Sequence, residues 1–124
     1  MIKAIYPIKE EFVKKIFQGT KAYEYRKSLC KEEVTTIVIY ESRGRGLVVG
    51  EFEITERLCD TPDNLWERTK EYSGISKDSF DTYFKGCNRA YAYGIGNVNI
   101  FIKPKTLEDY GITKAPQNYI YTDL

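Results

Sequence analysis

The stretch VTTIVIYESRGRGLVVGEFEITE, Val34 to Glu56, decides the fold class. Val34 to Tyr40 is rich in β-branched residues and reads as a strand. Glu41-Ser42-Arg43-Gly44-Arg45-Gly46 is a polar turn, and Gly46 to Glu56 returns as a second strand. In that second strand Val48, Phe52 and Ile54 alternate with Val49, Glu51 and Glu53 for part of its length. Two strands joined by a short turn form an antiparallel hairpin. An open βαβαβ sheet needs a helix after each strand, and this pair has none between its members.

Working outward, Ile2 to Tyr6 reads as a strand that Pro7 ends, and Lys9 to Gln18 as an amphipathic helix. Phe12, Val13, Ile16 and Phe17 share one face of that helix, with Lys9, Glu10, Glu11, Lys14 and Lys15 on the other. Gly19 terminates it. Ala22 to Lys27 follows as a strand. Beyond the hairpin, Thr61-Pro62 starts a helix that ends before Gly74, and Ser76 caps another that stops near Gly86. Ala90 to Ile102 reads as one long strand, or two joined ones, that Pro104 stops, with Gly94 and Gly96 permitting a bulge. Thr106 caps a short turn through Leu107 to Tyr110, and the tail from Pro116 to Tyr121 can add an edge strand. Long strands with interior glycines suggest an α+β fold with a curled, partly closed sheet of about five or six strands and two or three packed helices.

Composition narrows the chemistry. The 124 residues suit one compact domain. Nineteen Lys and Arg against 18 Asp and Glu leave a net charge of +1, so bulk attraction cannot carry binding to a polyanion. Histidine is absent, which removes the commonest general base near neutral pH and every imidazole-based zinc motif. No apolar run approaches the roughly 20 residues that cross a bilayer, and the first residues lack the apolar core of a secretory signal. Cys30, Cys59 and Cys87 are far apart with no CxxC pair, and read as reduced, buried cysteines of a cytoplasmic protein. Neither a metal site nor a cofactor is expected.

Charge concentrates in Gly19-Thr20-Lys21-Ala22-Tyr23-Glu24-Tyr25-Arg26-Lys27. On a strand, Glu24 and Arg26 lie about 7 Å apart on one face, with Lys21, Tyr23 and Tyr25 on the other. A carboxylate and a guanidinium aimed at a cleft hold each other's charge and leave donors free for a ligand; on a solvated face they simply meet water. Arg43 and Arg45 pose the same choice between a phosphate clamp and a solvated hairpin tip. Lys85, Asn88 and Arg89 form a further basic cluster, and Lys103 with Lys105 another. Tyrosines 23, 25, 91 and 93 interleave with these clusters, where rings either stack on bases or serve the core and its rim. Glu51 and Glu53 share a strand face, suited to a cation, to acid–base work or to water. Trp66 reads as a core anchor.

Gly19-x-Lys21-x-x-Glu24-x-Arg26 directly after an amphipathic helix resembles the signature of the ASCH family, named for homology to activating signal cointegrator 1, within the PUA-like superfamily. Ile37 to Ser42 with Gly50-Glu51-Phe52 is similar to the family's central hairpin. Tyr83 to Gly86, Tyr91 to Ile95, Phe101 to Pro104 with Leu107, and Pro116-Gln117 resemble the latter half of its small bacterial and phage members. The resemblance covers essentially the whole chain and implies a single domain over residues 1–124, folded as a PUA-like curled mixed β-barrel. It also implies a cleft at the motif that binds RNA or a modified nucleotide, with Lys21, Glu24 and Arg26 in it; Tyr25 between them is read at its rim. Some members are nucleases, and one subgroup hydrolyses N4-acylated cytidines with a lysine, a threonine and a distant glutamate. Lys21 matches that lysine, whereas Glu24 stands where the subgroup has its threonine.

Three functions follow as expectations. The first is binding of RNA or a nucleotide, single-stranded or nucleoside-sized, through Lys21, Glu24, Tyr25, Arg26, Arg43 and Arg45. The second is hydrolysis of an amide-bearing cytidine or of single-stranded RNA, with Lys21 as base and Glu24 as proton carrier. The third is a structural or partner-binding role, which predicts an exposed apolar patch and a cleft without convergent polar groups.

Overall fold

A computed structural model describes residues 1–124. Six strands form one mixed sheet: β1 (Lys3–Lys9), β2 (Tyr23–Arg26), β3 (Thr36–Ser42), β4 (Val48–Asp60), β5 (Ala90–Lys105) and β6 (Ile120–Thr122). Helix α1 (Glu10–Gln18) links β1 to β2, while α2 (Pro62–Thr69) and α3 (Lys77–Tyr83) sit between β4 and β5. No helix is long and apolar enough to cross a membrane.

The hairpin is the centre of the sheet. Its register runs from Thr36 opposite Glu53 to Tyr40 opposite Val48. β1 joins β3 in parallel, Ala4 beside Ile37 and Lys9 beside Ser42, and β5 joins β4 antiparallel. Thr61, Ser76 and Thr106 cap the segments expected of them, each hydroxyl accepting a backbone N–H of the first turn.

The expected barrel is not formed. Strand order is β2-β5-β4-β3-β1-β6, and the edge strands β2 and β6 do not pair, so the sheet is mixed and open. Two features prevent closure. The edge strands are short, four and three residues, and β6 covers β1 only at Lys3, Ala4 and Ile5. Beyond Ile5 the free side of β1 carries Pro7, which has no N–H for a ladder. Side chains span the gap instead: Arg26 Nη2 donates to the Pro7 carbonyl at 2.6 Å, and the Tyr6 and Tyr93 hydroxyls share a hydrogen bond.

Both prolines expected to end strands lie inside them, Pro7 in β1 and Pro104 in β5. Each stands where one side of its strand has no partner, since β2 reaches β5 only from Tyr91 to Gly94. β4 and β5 cross closely at a bulge: a Cβ on Gly94 would meet Thr55 Oγ1 at 2.4 Å. Of the cysteines expected to be buried, only Cys30 is; Cys59 is exposed and Cys87 half-buried.

The core has distinct parts. Val13 and Ile16 of α1 pack with Tyr6, Ile8, Ile37, Ile39, Phe52 and Tyr93. Leu65 of α2 and Phe80 of α3 pack with Phe84 and with Tyr25, Leu58 and Ala92 from the sheet. Trp66 anchors α2 as expected, its ring centroid 5.0 Å from that of Phe80. The line where the α1 cluster meets the α3 cluster is where the charged motif emerges.

Candidate functional site

A cleft of about 860 Å³ opens between β1, α1, β2, the β3–β4 turn and α3. Its position follows from the open sheet, because the unpaired edge of β1 from Pro7 to Lys9 forms one wall and β2 another. Lys21, Glu24, Tyr25, Arg26 and Arg43 all line it; Arg45 does not.

Gly19 adopts a left-handed conformation at the end of α1 and turns the chain toward β2. Lys21 lies before the first ladder residue of β2, so strand alternation does not separate it from Glu24. Its side chain runs between the two apolar clusters and is 2% exposed. Nζ donates to the Ser73 carbonyl at 2.8 Å and lies 5.1 Å from the Phe12 ring and 5.0 Å from the Tyr25 ring. Burial lowers the Lys21 pKa to about 8; Glu24 pulls it back up, while Lys15 and Arg26 push it further down.

Glu24 and Arg26 share a face as β2 alternation requires. Arg26 Nη2 donates to Glu24 Oε2 at 3.0 Å, with both side chains largely buried. The guanidinium carbon lies 4.8 Å from the Tyr6 ring centroid. Nη2 thus serves Glu24 and Pro7, whereas the buried Nε of Arg26 has no hydrogen-bond partner. That orphan donor is uncommon, because buried polar groups are nearly always satisfied.

Tyr25 is a wall and not the open rim anticipated for it. It is 6% exposed, its hydroxyl bonds the Thr69 hydroxyl at 2.7 Å, and its ring meets Phe80 edge-on at 5.1 Å. Burial pushes its phenol up to about 12. Tyr93 is fully buried and accepts from the Cys30 N–H at 2.7 Å, so it belongs to the core and stacks on no ligand.

The turn arginines separate. Arg43 is exposed, left-handed at φ 53°, and lines the cleft. Arg45 turns back to Glu41, which accepts from its backbone N–H at 3.0 Å and its Nε at 3.2 Å. Burial opposes ionisation of Glu41, but these contacts hold its carboxyl below the usual range. Lys85, Asn88, Arg89, Lys103 and Lys105 are exposed outside the cleft. Glu51 pairs with Lys3 at 3.2 Å, and exposed Glu53 accepts from Asn97.

Other cleft residues escaped the sequence reading. Lys9 and Lys15 looked like part of the solvated face of α1, yet both line the cleft, and Lys15 Nζ donates to the Gly74 carbonyl at 2.9 Å. α3 contributes Ser76, Ser79, Thr82 and Tyr83. Their signal was available: hydroxyls at 76, 79 and 82 recur at helical spacing on one side of a short helix. The tail adds Pro116 and Gln117. Altogether Lys9, Lys15, Lys21, Arg26 and Arg43 face Glu11, Glu24 and Asp78, a local excess of cations in a nearly neutral molecule. Convergent cations, a guanidinium with Nη1 free and a hydroxyl-bearing wall suit an anionic ligand with its own hydrogen-bonding groups.

Comparison with known proteins bears on this geometry. A family model described as "Domain of unknown function (DUF365)" matches residues 1–122. The chain is 28% identical over 89 residues to large ribosomal subunit protein uL22 of Ureaplasma parvum serovar 3, covering 72% of this chain and 29% of that protein. It is also 25% identical over 107 residues to ATP synthase subunit alpha of the same species, covering 86% of this chain and 13% of that protein. The chain therefore spans less than a third of the length of these curated relatives. Among solved structures, ASCH from Zymomonas mobilis superposes with a TM-score of 0.86 at 23% identity, covering 96% of this chain and 86% of that one. A tyrosine-to-phenylalanine variant of the same protein matches with a TM-score of 0.86 at 22% identity, covering 96% and 88%. At that identity the likeness is one of fold, and the ASCH resemblance of the sequence is matched by the ASCH fold of the chain.

Proposed function

The chain belongs to the family described as a domain of unknown function, DUF365, and we propose that its cleft binds RNA or a nucleotide, taking a single-stranded or nucleoside-sized ligand. The observation that carries this reading is the Arg26 guanidinium, fixed in the cleft wall through Nη2 by Glu24 and the Pro7 carbonyl with Nη1 left free. A phosphate or base-carbonyl oxygen meets Nη1, and Lys21 adds a positive charge nearby. Glu24 uses Oε2 for Arg26 and keeps its second oxygen for a ligand donor such as an exocyclic amine. Arg43 supplies an exposed charge at the lip. A cleft of about 860 Å³ is in the range of roughly 300–1,000 Å³ that small-molecule sites occupy. The ASCH fold supports the same class of ligand, and the domain spans the whole chain in this reading.

Calorimetric titration with the four ribonucleoside monophosphates and short RNAs tests it. R26K keeps the charge that pairs Glu24 but cannot reproduce the guanidinium fork, so a folded R26K protein should bind at least about tenfold more weakly. No binding by the wild type, or equal binding by a folded R26K variant, overturns the reading.

A second reading rests on a different observation, the Lys21 ammonium poised near pKa 8. About a tenth of it is neutral at pH 7, enough for a general base that draws a proton from water. The hydroxide then attacks the carbonyl carbon of an N4-acylated cytidine or the phosphorus of single-stranded RNA, the C–N or P–O bond breaks, and Glu24 relays the proton that Lys21 took to the departing nitrogen or oxygen. Chromatographic turnover assays decide it: product that accumulates with wild type and not with K21A or E24Q supports hydrolysis, and a flat wild-type time course sinks it.

A further inference from the structure

β5 runs for 16 residues, but only part of its outer side has a neighbour. β2 covers it from Tyr91 to Gly94, and the Ile95 N–H still reaches the Ala22 carbonyl at 2.9 Å. From Gly96 to Pro104 no strand lies on that side. Two isoleucines stand in water on this free stretch, Ile100 at 52% exposure and Ile102 fully exposed. The remaining exposed aliphatic side chains, Met1, Ile2, Ile120 and Leu124, gather around β6 at the opposite edge of the sheet. Register accounts for the uncovered pair. Phe52 faces Val98 and Gly50 faces Ile100, so Val98 and Ile100 share the α1 face. Gly50 offers no side chain to cover Ile100, and Phe17 of α1 lies close over that glycine, 3.1 Å from where a Cβ would stand. Val48 next pairs with Lys105, so β5 bows away from β4 and carries Ile102 outward.

The edge is also complementary to itself. At one end Asn97 Nδ2 donates to the exposed Glu53 carboxylate at 3.3 Å; at the other stands exposed Lys103. Neither Glu53 nor Lys103 belongs to an ion pair. The free stretch is bounded by β2 and by Pro104, and Ile100 is its midpoint. A two-fold axis there sets Ile100 against Ile100 of a second copy, Ile102 against Val98 of that copy, and Lys103 against its Asn97 with Glu53 alongside. Antiparallel pairing brings these opposite charges together at both ends, and parallel pairing at neither. We infer that the protein is a two-fold dimer in which the β5 edges pair antiparallel between Gly96 and Pro104, joining two six-stranded sheets into one. β6, three residues long, is too short to cover this stretch, and Lys103 with Pro104 resists the addition of further strands, so the pairing closes instead of growing. None of these residues lines the cleft. Dimerisation and nucleotide binding therefore stand or fall separately.

Sedimentation equilibrium of the full chain over about a hundredfold range of concentration tests the dimer. Wild type should have twice the chain mass at the upper end and dissociate on dilution. I100K/I102K alters only exposed side chains, so it should keep the circular dichroism of the wild type and remain a monomer throughout. K103E and E53K each replace an attraction with a repulsion at two symmetric places, and each should weaken the dimer by about tenfold. K103E/E53K together restores opposite charges across the axis and should recover the dimer. Hydrogen exchange should slow at Gly96 to Lys103 as concentration rises. A wild type monomeric at every concentration overturns the dimer and leaves the edge to a different partner. A dimer that I100K/I102K leaves intact overturns the choice of edge, and a charge-swapped variant no better than its single parents overturns the antiparallel register.

Discussion

The Lys21 ammonium donates to the Ser73 carbonyl at 2.8 Å and otherwise rests between two ring faces, so weaker contacts replace most of its hydration. Its pKa falls to about 8 from the ordinary 10.5, and this has two consequences with definite signs. Between pH 8 and 10.5 the unfolded chain holds a proton that the folded chain has released, so stability rises with pH across that window and is reduced below it. In urea unfolding, wild type should gain about 2 kcal/mol between pH 7 and 9.5 relative to K21M, which lacks the titrating group. K21M should also be the more stable protein at pH 7 while binding the anionic ligand poorly. The second consequence concerns the ligand. A bound phosphate favours the charged lysine, so affinity should decline as pH rises through 8, with proton uptake on binding measurable by calorimetry in two buffers of different ionisation enthalpy. Equal affinity at pH 7 and 9 would remove Lys21 from the site. The alternation that placed Glu24 and Arg26 together was readable from sequence. The depth of Lys21 was not, because its position is decided by helices some fifty residues away.

At the scale of elements, the connector from α2 to α3 holds both cleft lysines through its backbone. The Ser73 carbonyl receives Lys21 and the Gly74 carbonyl receives Lys15. Gly74 is left-handed at φ +70°, and a Cβ there would stand 2.5 Å from Lys21 Cγ. An alanine is therefore strained twice, by its own backbone and by the lysine stem it displaces. G74A should lower stability by about 1–3 kcal/mol and weaken nucleotide binding, read by thermal melting and titration on one preparation. A folded G74A protein with wild-type affinity would show that the connector does not position Lys21. Sequence marked Ser76 correctly as a cap but ran the preceding helix up to Gly74, whereas α2 ends at Thr69 and a 3-10 turn follows over Lys70–Tyr72. Nor could it show that Ser73 and Gly74 are anchors, since a carbonyl carries no side-chain signature. The strand limits at Pro7 and Pro104 misled for a related reason: proline stops a strand only where a neighbour needs its N–H, and both stand on unpaired sides.

For the whole molecule, the residue pattern implied about five or six strands and two or three helices and the ASCH resemblance a cleft at the motif; six strands and three α-helices form, while the expected closure into a barrel is absent. The difference matters, because the ladder missing between β1 and β2 is what leaves room for the cleft. A side-chain seam holds the open sheet in its curl. Tyr93 on β5 is its centre, sharing a hydrogen bond with Tyr6 of β1 and accepting from the Cys30 N–H. Arg57 of β4 reinforces it, donating to the Cys30, Lys31 and Val34 carbonyls. No local pattern announces such a seam, as its members are spread from position 6 to 93. Y93F removes one oxygen and leaves the buried Cys30 N–H and the Tyr6 hydroxyl without partners, a loss of about 1–3 kcal/mol for each group left unsatisfied. The urea midpoint should fall with little change in slope, since the same surface is exposed on unfolding. If the seam also sets the width of the cleft, Y93F should weaken monophosphate binding although its hydroxyl touches no ligand. A lower midpoint with unchanged affinity would instead mean that Arg26 and Pro7 hold the cleft walls by themselves.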